Sequence, residues 1–369
     1  MMLANWAGMT SWRRATNAHW TERARLLWPV RFTAGISIFI MPFLIGQIHW
    51  YLFPNFPMDW MTDALACFCG AVAGCYPLNR QICPQLNFKG WLAQTIAWLG
   101  VQFGTWIVLI ASAALMPENF NGKMIAVAGG CLLFFCLINW GLFLKYLRLV
   151  KFLKPADARL LQIVKATADK MGGVNVRRTW ELGGTAATAF AFPTTRELAF
   201  SRRTLEICTD EEVAAICAHE LAHLQESKFI LAARLFGSLT VYPLIFINPA
   251  IHTFGPFGFF MPYLLMFVML KYVKWLSQKM ERRADEQAIG KQANEGVYAR
   301  ALEKLYRENL APAVNVNDRQ THPHLYDRMV SAGITPDFPR PQRPKRLTLI
   351  GWAFVVSTVT FILLSLAAE

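Results

Sequence analysis

The feature that most restricts this chain is a series of apolar stretches separated by short charged segments. Seven of them approach or exceed the roughly 20 residues that a helix needs to cross a bilayer: 32–53, 62–78, 91–116, 123–147, 229–248, 257–276 and 347–367. The second is short and rich in small residues. Pro243, Pro249, Pro256 and Pro262 interrupt the fifth and sixth, which leaves those two as full spans or as a re-entrant hairpin. With 54% hydrophobic and only 17% charged residues, the chain is too apolar for an ordinary soluble protein. Its 13 Trp and 27 Phe suit interfacial belts and lipid-facing helices.

The net charge of +13 points to nucleic acid or to an anionic membrane face, and its placement favours the membrane. Arg13, Arg14, Arg23, Arg25 and Arg31 precede the first stretch, and Lys145, Arg148, Lys151 and Lys154 follow the fourth. Lys271, Lys274, Lys279, Arg282 and Arg283 close the sixth, and Arg340, Arg343, Lys345 and Arg346 precede the last. No Lys or Arg separates the fifth from the sixth. The positive-inside rule then gives seven spans, with the N-terminus inside and the C-terminus outside. The expected organisation is a basic lead and four spans over 1–147, followed by the first part of a cytoplasmic α+β region over 148–228. An apolar hairpin fills 229–276, the second part of the cytoplasmic region 277–346, and a C-terminal span 347–369. The first 30 residues carry no apolar core followed by a cleavage site, so they read as a cytosolic amphipathic lead-in rather than a secretory signal. None of the eight cysteines forms a Cys-x-x-Cys pair, and five fall in apolar stretches. They are expected to act as small hydrophobes, without a disulfide framework.

The chemistry lies between the spans. In His219-Glu220-Leu221-Ala222-His223 two histidines stand four apart, so on a helix their imidazoles share one face. That spacing is the zinc-hydrolase pattern, with Glu220 beside the ion as a base for water. Thr209 and Glu212 form a capping box that opens the helix. The plainer alternative is two core histidines on an amphipathic helix. Downstream, Glu281 offers a third ligand, as catalytic zinc sites require. Asp285, one turn on, can hold a ligand histidine by its other ring nitrogen; the plainer alternative here is a solvated charged helix. Upstream, the sequence predicts a helix from Pro155 to about Met171 and strands over Val174–Trp180, Thr185–Phe192 and Arg196–Phe200.

With HELAH followed by two apolar segments and Glu-x-x-x-Asp, the chain resembles the integral-membrane gluzincin peptidases. That group includes the heat-shock peptidase HtpX and the CAAX prenyl endopeptidases. The resemblance implies a metallopeptidase with one Zn2+ per chain, held by His219, His223 and Glu281, with Glu220 as general base. It gives Thr188-Ala189-Phe190-Ala191, with Phe192 after it, the place of an edge strand that a peptide substrate can extend by backbone hydrogen bonds. Thr188 replaces the family's Asn, and a plain core strand is the alternative. Thr321-His322-Pro323-His324 followed by Arg328 matches the family's Thr-His-Pro-Pro and its Arg. This implies that His322 stabilises the oxyanion and that Arg328 supports the site, with His324 solvated. His19, His49 and His252 are expected to be structural.

Two kinds of substrate suit such a peptidase, damaged membrane proteins in quality control and defined peptides in processing. Seven spans match the CAAX group's count better than the four usual in the heat-shock group. A non-catalytic zinc-binding scaffold or transporter is the competing class, although the centres of spans one to four hold almost no ionisable residues of a transport path. The partners expected are a peptide or membrane-protein substrate and the lipid bilayer, without nucleic acid. The expected location is a bacterial inner membrane, with the endoplasmic reticulum second.

Overall fold

A computed structural model describes residues 8–52, 60–317 and 323–368. Helices dominate it. In chain order they are α1 (Thr10–Arg14), α2 (Trp20–Leu52), α3 (Trp60–Ala73), α4 (Tyr76–Ile82), α5 (Phe88–Leu115), α6 (Gly122–Leu137) and α7 (Phe143–Leu149). Next come α8 (Ala158–Lys170), α9 (Arg202–Ile207), α10 (Asp210–Leu224), α11 (Lys228–Ser238), α12 (Ile247–Phe254), α13 (Pro256–Lys291), α14 (Val297–Glu308), α15 (Leu325–Ser331) and α16 (Leu349–Ala368). The four strands are β1 (Leu153–Pro155), β2 (Arg178–Leu182), β3 (Ala189–Phe192) and β4 (Glu197–Ser201).

Among the described residues two helical stretches are long and apolar enough to cross a membrane, Gly122–Leu149 and Pro256–Lys291. The number rises to four if each bent pair counts as one span, Phe88–Gly100 with Gly104–Leu115 and Lys228–Ser238 with Tyr242–Phe254. The second pair covers the fifth expected span. Proline and a short 3-10 turn at Tyr242–Phe246 bend it by 44°, as a missing backbone donor dictates. The side chains of the first expected span from residue 38 on lie outside the described residues, as do those of the second up to residue 65.

Gly122–Leu149 is not straight. Over Ile138–Leu142 it widens into a π-type turn, with Gly141 at φ +97°. A Cβ there would stand 2.8 Å from the Thr195 methyl, so only glycine fits. The kink frees backbone carbonyls, and the Thr194 hydroxyl donates to that of Asn139 at 2.6 Å. The tight turn between β3 and β4 is thereby fastened to a membrane helix.

The sheet has the order β1-β2-β4-β3, with β2 parallel to β4 and β3 antiparallel to it. All of central β4 is buried, and β3 is an edge. β1 is a strand where the sequence predicts the helix to begin: Pro155 ends this short strand, and Asp157 caps α8 instead, accepting from Leu160 N at 2.8 Å. Against the sheet lies α10, opened by the predicted capping box in which Thr209 and Glu212 each accept from the other's backbone N–H. From Glu212 to Leu224 nearly every side chain of α10 is buried, so it is the core helix of the α+β region rather than an amphipathic surface helix. Cutting fully buried Leu221 to alanine is the kind of change that costs about 2–5 kcal/mol.

Glu281 stands on α13, which is one helix of 36 residues and runs unbroken across the expected boundary at residue 276. At 1.5 Å per residue it is about 54 Å long, well beyond a hydrocarbon core of about 30 Å. Its first two-thirds expose Phe257, Phe260, Leu264, Phe267 and Trp275. Its last part buries Met280, Glu281, Ala284, Asp285 and Ala288, a single face at helical spacing, and this face meets α10. A single rod thus carries both lipid-facing surface and site residues.

Candidate active site

His219 and His223 project from successive turns of α10, their rings nearly perpendicular and 5.0 Å apart at the centroids. The Glu281 carboxylate from α13 reaches both. Its Oε2 lies 3.4 Å from His219 Nε2 and its Oε1 3.6 Å from His223 Nε2. The three groups are buried, and their donor atoms all fall within 4.8 Å of one another. An ion held tetrahedrally at about 2.0–2.1 Å sets neighbouring ligand atoms roughly 3.3 Å apart; the two histidine–Glu281 spacings are close to that, and two nitrogens with a carboxylate are a donor set that suits zinc. The surrounding charge fits it too. Burial alone would lower the His219 imidazole, but hydrogen bonds to Asp285 and Glu281 outweigh it and raise the group to about 9. With the Glu281 and Asp285 carboxylates both within reach of its ring, the pocket around His219 suits a cation.

Each histidine is braced from behind. His219 Nδ1 lies 3.1 Å from Asp285 Oδ1 and 2.8 Å from the Tyr298 hydroxyl. Tyr298 also donates to Asp285 at 2.7 Å. Arg328 grips Asp285 with two nitrogens, Nε to Oδ2 at 2.8 Å and Nη2 to Oδ1 at 2.6 Å. On the other side, His223 Nδ1 meets Glu226 Oε1 at 2.9 Å, and Arg234 Nη2 donates to the same oxygen. A carboxylate on the far nitrogen sets the tautomer and aims the near nitrogen at the metal position.

The catalytic carboxylate expected at Glu220 is buried in the same cavity, of about 360 Å³. Thr188, Ala189, Phe190 and Ala191 line it. Phe192 is not in the lining; its ring packs on Phe143 and Phe190. Thr188 turns its backbone inward, its carbonyl accepting from Ser201 N at 2.8 Å. Antiparallel pairing alternates, so the backbone groups of Ala187, Ala189 and Ala191 face the free edge.

Of the expected site residues, the structure brings together His219, Glu220, His223, Glu281, Asp285, Arg328 and the first part of the strand. His322 lies outside the described residues. His324, expected to be solvated, is instead buried. Its Nδ1 accepts from Asn315 N at 2.9 Å, so it pins the 315 loop to the start of α15. Sequence reasoning missed Glu226, Arg234, Tyr298 and Asn309, whose side-chain amide lines the cavity and exchanges two hydrogen bonds with the Ala187 backbone at the end of the free edge. Glu226 follows His223 by one turn, a spacing that was available to be read. Arg234 stood as the ionisable residue inside the expected fifth span. Nothing in the sequence marks Tyr298 or Asn309.

Residues 155–333 match peptidase family M48. No curated protein matches the sequence. Among solved structures the fold is similar to the crystal structure of Ste24p from S. mikatae. The TM-score is 0.55 and the identity 15%, over 88% of this chain and 88% of that one. At that identity the likeness is one of fold. It takes in the membrane helices as well as the catalytic region.

Proposed function

From a chain that carries a peptidase family M48 domain and is a membrane metallopeptidase, we propose the following roles for its residues. His219, His223 and Glu281 hold one zinc ion. Zinc, when bound, lowers the pKa of a water to about 7 and polarises the scissile carbonyl. Glu220 takes a proton from the attacking water and passes it to the leaving amine. The Ala189 and Ala191 backbone groups pair with an extended peptide and lay its bond across the site. Asp285 and Arg328 keep His219 aimed at the metal. His322, just before Pro323 and the helix that carries Arg328 into the site, donates to the oxyanion.

The observation that carries this reading is the shared cavity. A buried His-His-Glu donor set, a separate buried carboxylate and a free strand edge line one space. A scaffold that merely stored zinc would have no need of the second carboxylate or of the edge. The catalytic region is proposed to face the cytoplasm, below about seven spans, in a bacterial inner membrane or, second, the endoplasmic reticulum. The loop charges support that orientation.

The test is Glu220→Gln in the full-length protein, in detergent or nanodiscs. It is expected to retain about one zinc per chain and to lose peptide hydrolysis by at least about 100-fold. A folded, zinc-loaded variant that hydrolyses peptides at near the parental rate would remove Glu220 from the reaction.

A further inference from the structure

The cavity that holds the metal ligands and the strand edge is lined by two arginines, and they are not equivalent. Arg328 is 6% exposed and is fully engaged by Asp285 and Tyr298. Arg234, from α11, is 39% exposed. Only its Nη2 is engaged, donating to Glu226 Oε1 and lying 3.2 Å from His223 Nδ1. Its Nε and Nη1 have no hydrogen bond among the described residues. A guanidinium carries five N–H donors in a planar fork, so most of this one is free to meet a ligand.

Glu226 fixes where those donors stand. Its side chain is fully buried, and its Oε1 meets both His223 Nδ1 and Arg234. A carboxylate closed off from water keeps its one cation, because separating the two would leave a buried charge uncompensated. The long arginine side chain is thereby held at one end. Little rotamer freedom remains to be lost when its other donors bind.

Arg234 also has a definite place along the strand. One turn further on in α11, Ser238 accepts from Asn139 Nδ2 at 2.9 Å, and the Asn139 carbonyl accepts from Thr194 in the turn after β3. So α11 is tied to the Phe192 end of the edge, whereas the Asn309 amide occupies the Ala187 end. Antiparallel pairing is the more stable per residue. A peptide added to β3 in that sense runs with its N-terminal side toward Phe192, and the cation then faces the residues that precede the scissile bond.

We propose that Arg234 determines specificity by receiving the carboxylate of a substrate Asp or Glu side chain, a few residues before the bond that is cut. Its Nη2 keeps the brace on Glu226 while the free donors hold the substrate. This rests on the peptidase reading above and names a substrate feature read by that same site, through donors that neither the metal nor Glu220 uses.

The test uses the full-length, zinc-loaded protein and peptides with one fixed scissile sequence. A single Glu, Gln or Lys is moved through the positions on either side of the bond. On the N-terminal side the Glu peptide is expected to exceed its Gln counterpart in kcat/KM by about 3- to 10-fold, between the worth of an exposed ion pair and that of a hydrogen bond to a charged group. The Lys peptide should fall below both. On the C-terminal side the three should be alike. In Arg234→Gln the Glu-to-Gln ratio falls toward one, and in Arg234→Lys, which keeps the charge without the fork, it falls part of the way. A ratio taken within one variant cancels any loss of zinc or of folded protein that follows from weakening the brace on His223. Binding of the Glu and Gln peptides to the Glu220→Gln protein, with and without Arg234→Gln, is measured separately, so the subsite is judged even if hydrolysis fails. An Arg234-dependent preference for Glu in binding supports the subsite whatever becomes of the catalytic reading. Equal binding of the two peptides overturns it, as does a preference for Glu that persists in Arg234→Gln or that lies on the C-terminal side of the bond. If Arg234→Gln does not fold, Arg234→Lys decides, and a ratio unchanged from the parent overturns the assignment.

Discussion

The two metal-facing histidines sit one turn apart on the same helix but are braced differently. Behind His219 stands a network drawn from three elements, with Asp285 on α13, Tyr298 on α14 and Arg328 on α15. Arg328 and Asp285 are nearly inaccessible, at 6% and 12% side-chain exposure. Behind His223 stands a local carboxylate three residues on, with one arginine from α11 that is 39% exposed. The first brace ties the site to the tertiary fold. The second travels with α10 itself and depends only on α11 for its charge balance. A metal centre built this way has one histidine whose position reports on global packing and one that stays in place through local geometry.

Removing the cation behind His219 gives the largest expected effect. In Arg328→Met the Asp285 carboxylate stays buried without its guanidinium, a change that costs about 3–5 kcal/mol when such a pair is broken from one side. Thermal unfolding of the metal-free protein should show a marked fall in midpoint. The corresponding Arg234→Met change should produce a smaller fall: the Glu226 carboxylate it leaves is fully buried, but Arg234 is 39% exposed, so water can take the place of its guanidinium. Equal falls would erase the distinction between the two braces.

Next in size is the carboxylate behind His223. Glu226→Gln keeps the shape and loses the charge. Partners of this type change metal affinity by about 10- to 100-fold, and the effect should appear in zinc affinity measured by competition with a chelator. It should leave the stability of the metal-free protein nearly unchanged, unlike Arg328→Met. A variant that binds zinc as the parent does would make Glu226 a bystander.

The two braces also differ in how far the sequence revealed them. Asp285 was legible because a helical turn from Glu281 is a local fact of 3.6-residue periodicity, and Arg328 because it belongs to a recognisable motif. Glu226 obeys the same one-turn arithmetic from His223. Arg234 was hidden by an apolar run that satisfies a span-length criterion by composition alone; only the 44° break in that run shows that the segment bends beside the site. Tyr298 lies on an ordinary amphipathic helix and Asn309 caps its C-terminal end, and their roles arise from where α14 packs. The continuity of α13 was likewise illegible, because an apolar stretch and a charged stretch look like two elements when read by composition. One helix can change its surroundings halfway along. β1 escaped because three residues ending in proline carry no period to detect.

Tyr298 supplies the finest test, since its hydroxyl touches every member of the His219 brace. It accepts from Arg328 Nη2 at 2.8 Å and lies 2.7 Å from Asp285 Oδ1 and 2.8 Å from His219 Nδ1. A phenol has one proton to give. With Nε2 of His219 turned to the metal, Nδ1 carries a hydrogen and must be a donor, so the phenol proton goes to Asp285. Tyr298→Phe removes that proton and one acceptor while keeping the ring, which stacks on His219 at 21°. Asp285 keeps both Arg328 bonds and its contact with Nδ1, so its charge stays compensated. The expected cost is about 0.5–1.5 kcal/mol of stability, the worth of one ordinary hydrogen bond, with a change in zinc affinity smaller than that of Glu226→Gln. Unfolding midpoint and zinc competition on the same preparation measure both. A loss as large as that of Arg328→Met would mean that the hydroxyl, rather than the guanidinium, holds Asp285 in place, and the long-range brace would then rest on α14 instead of α15.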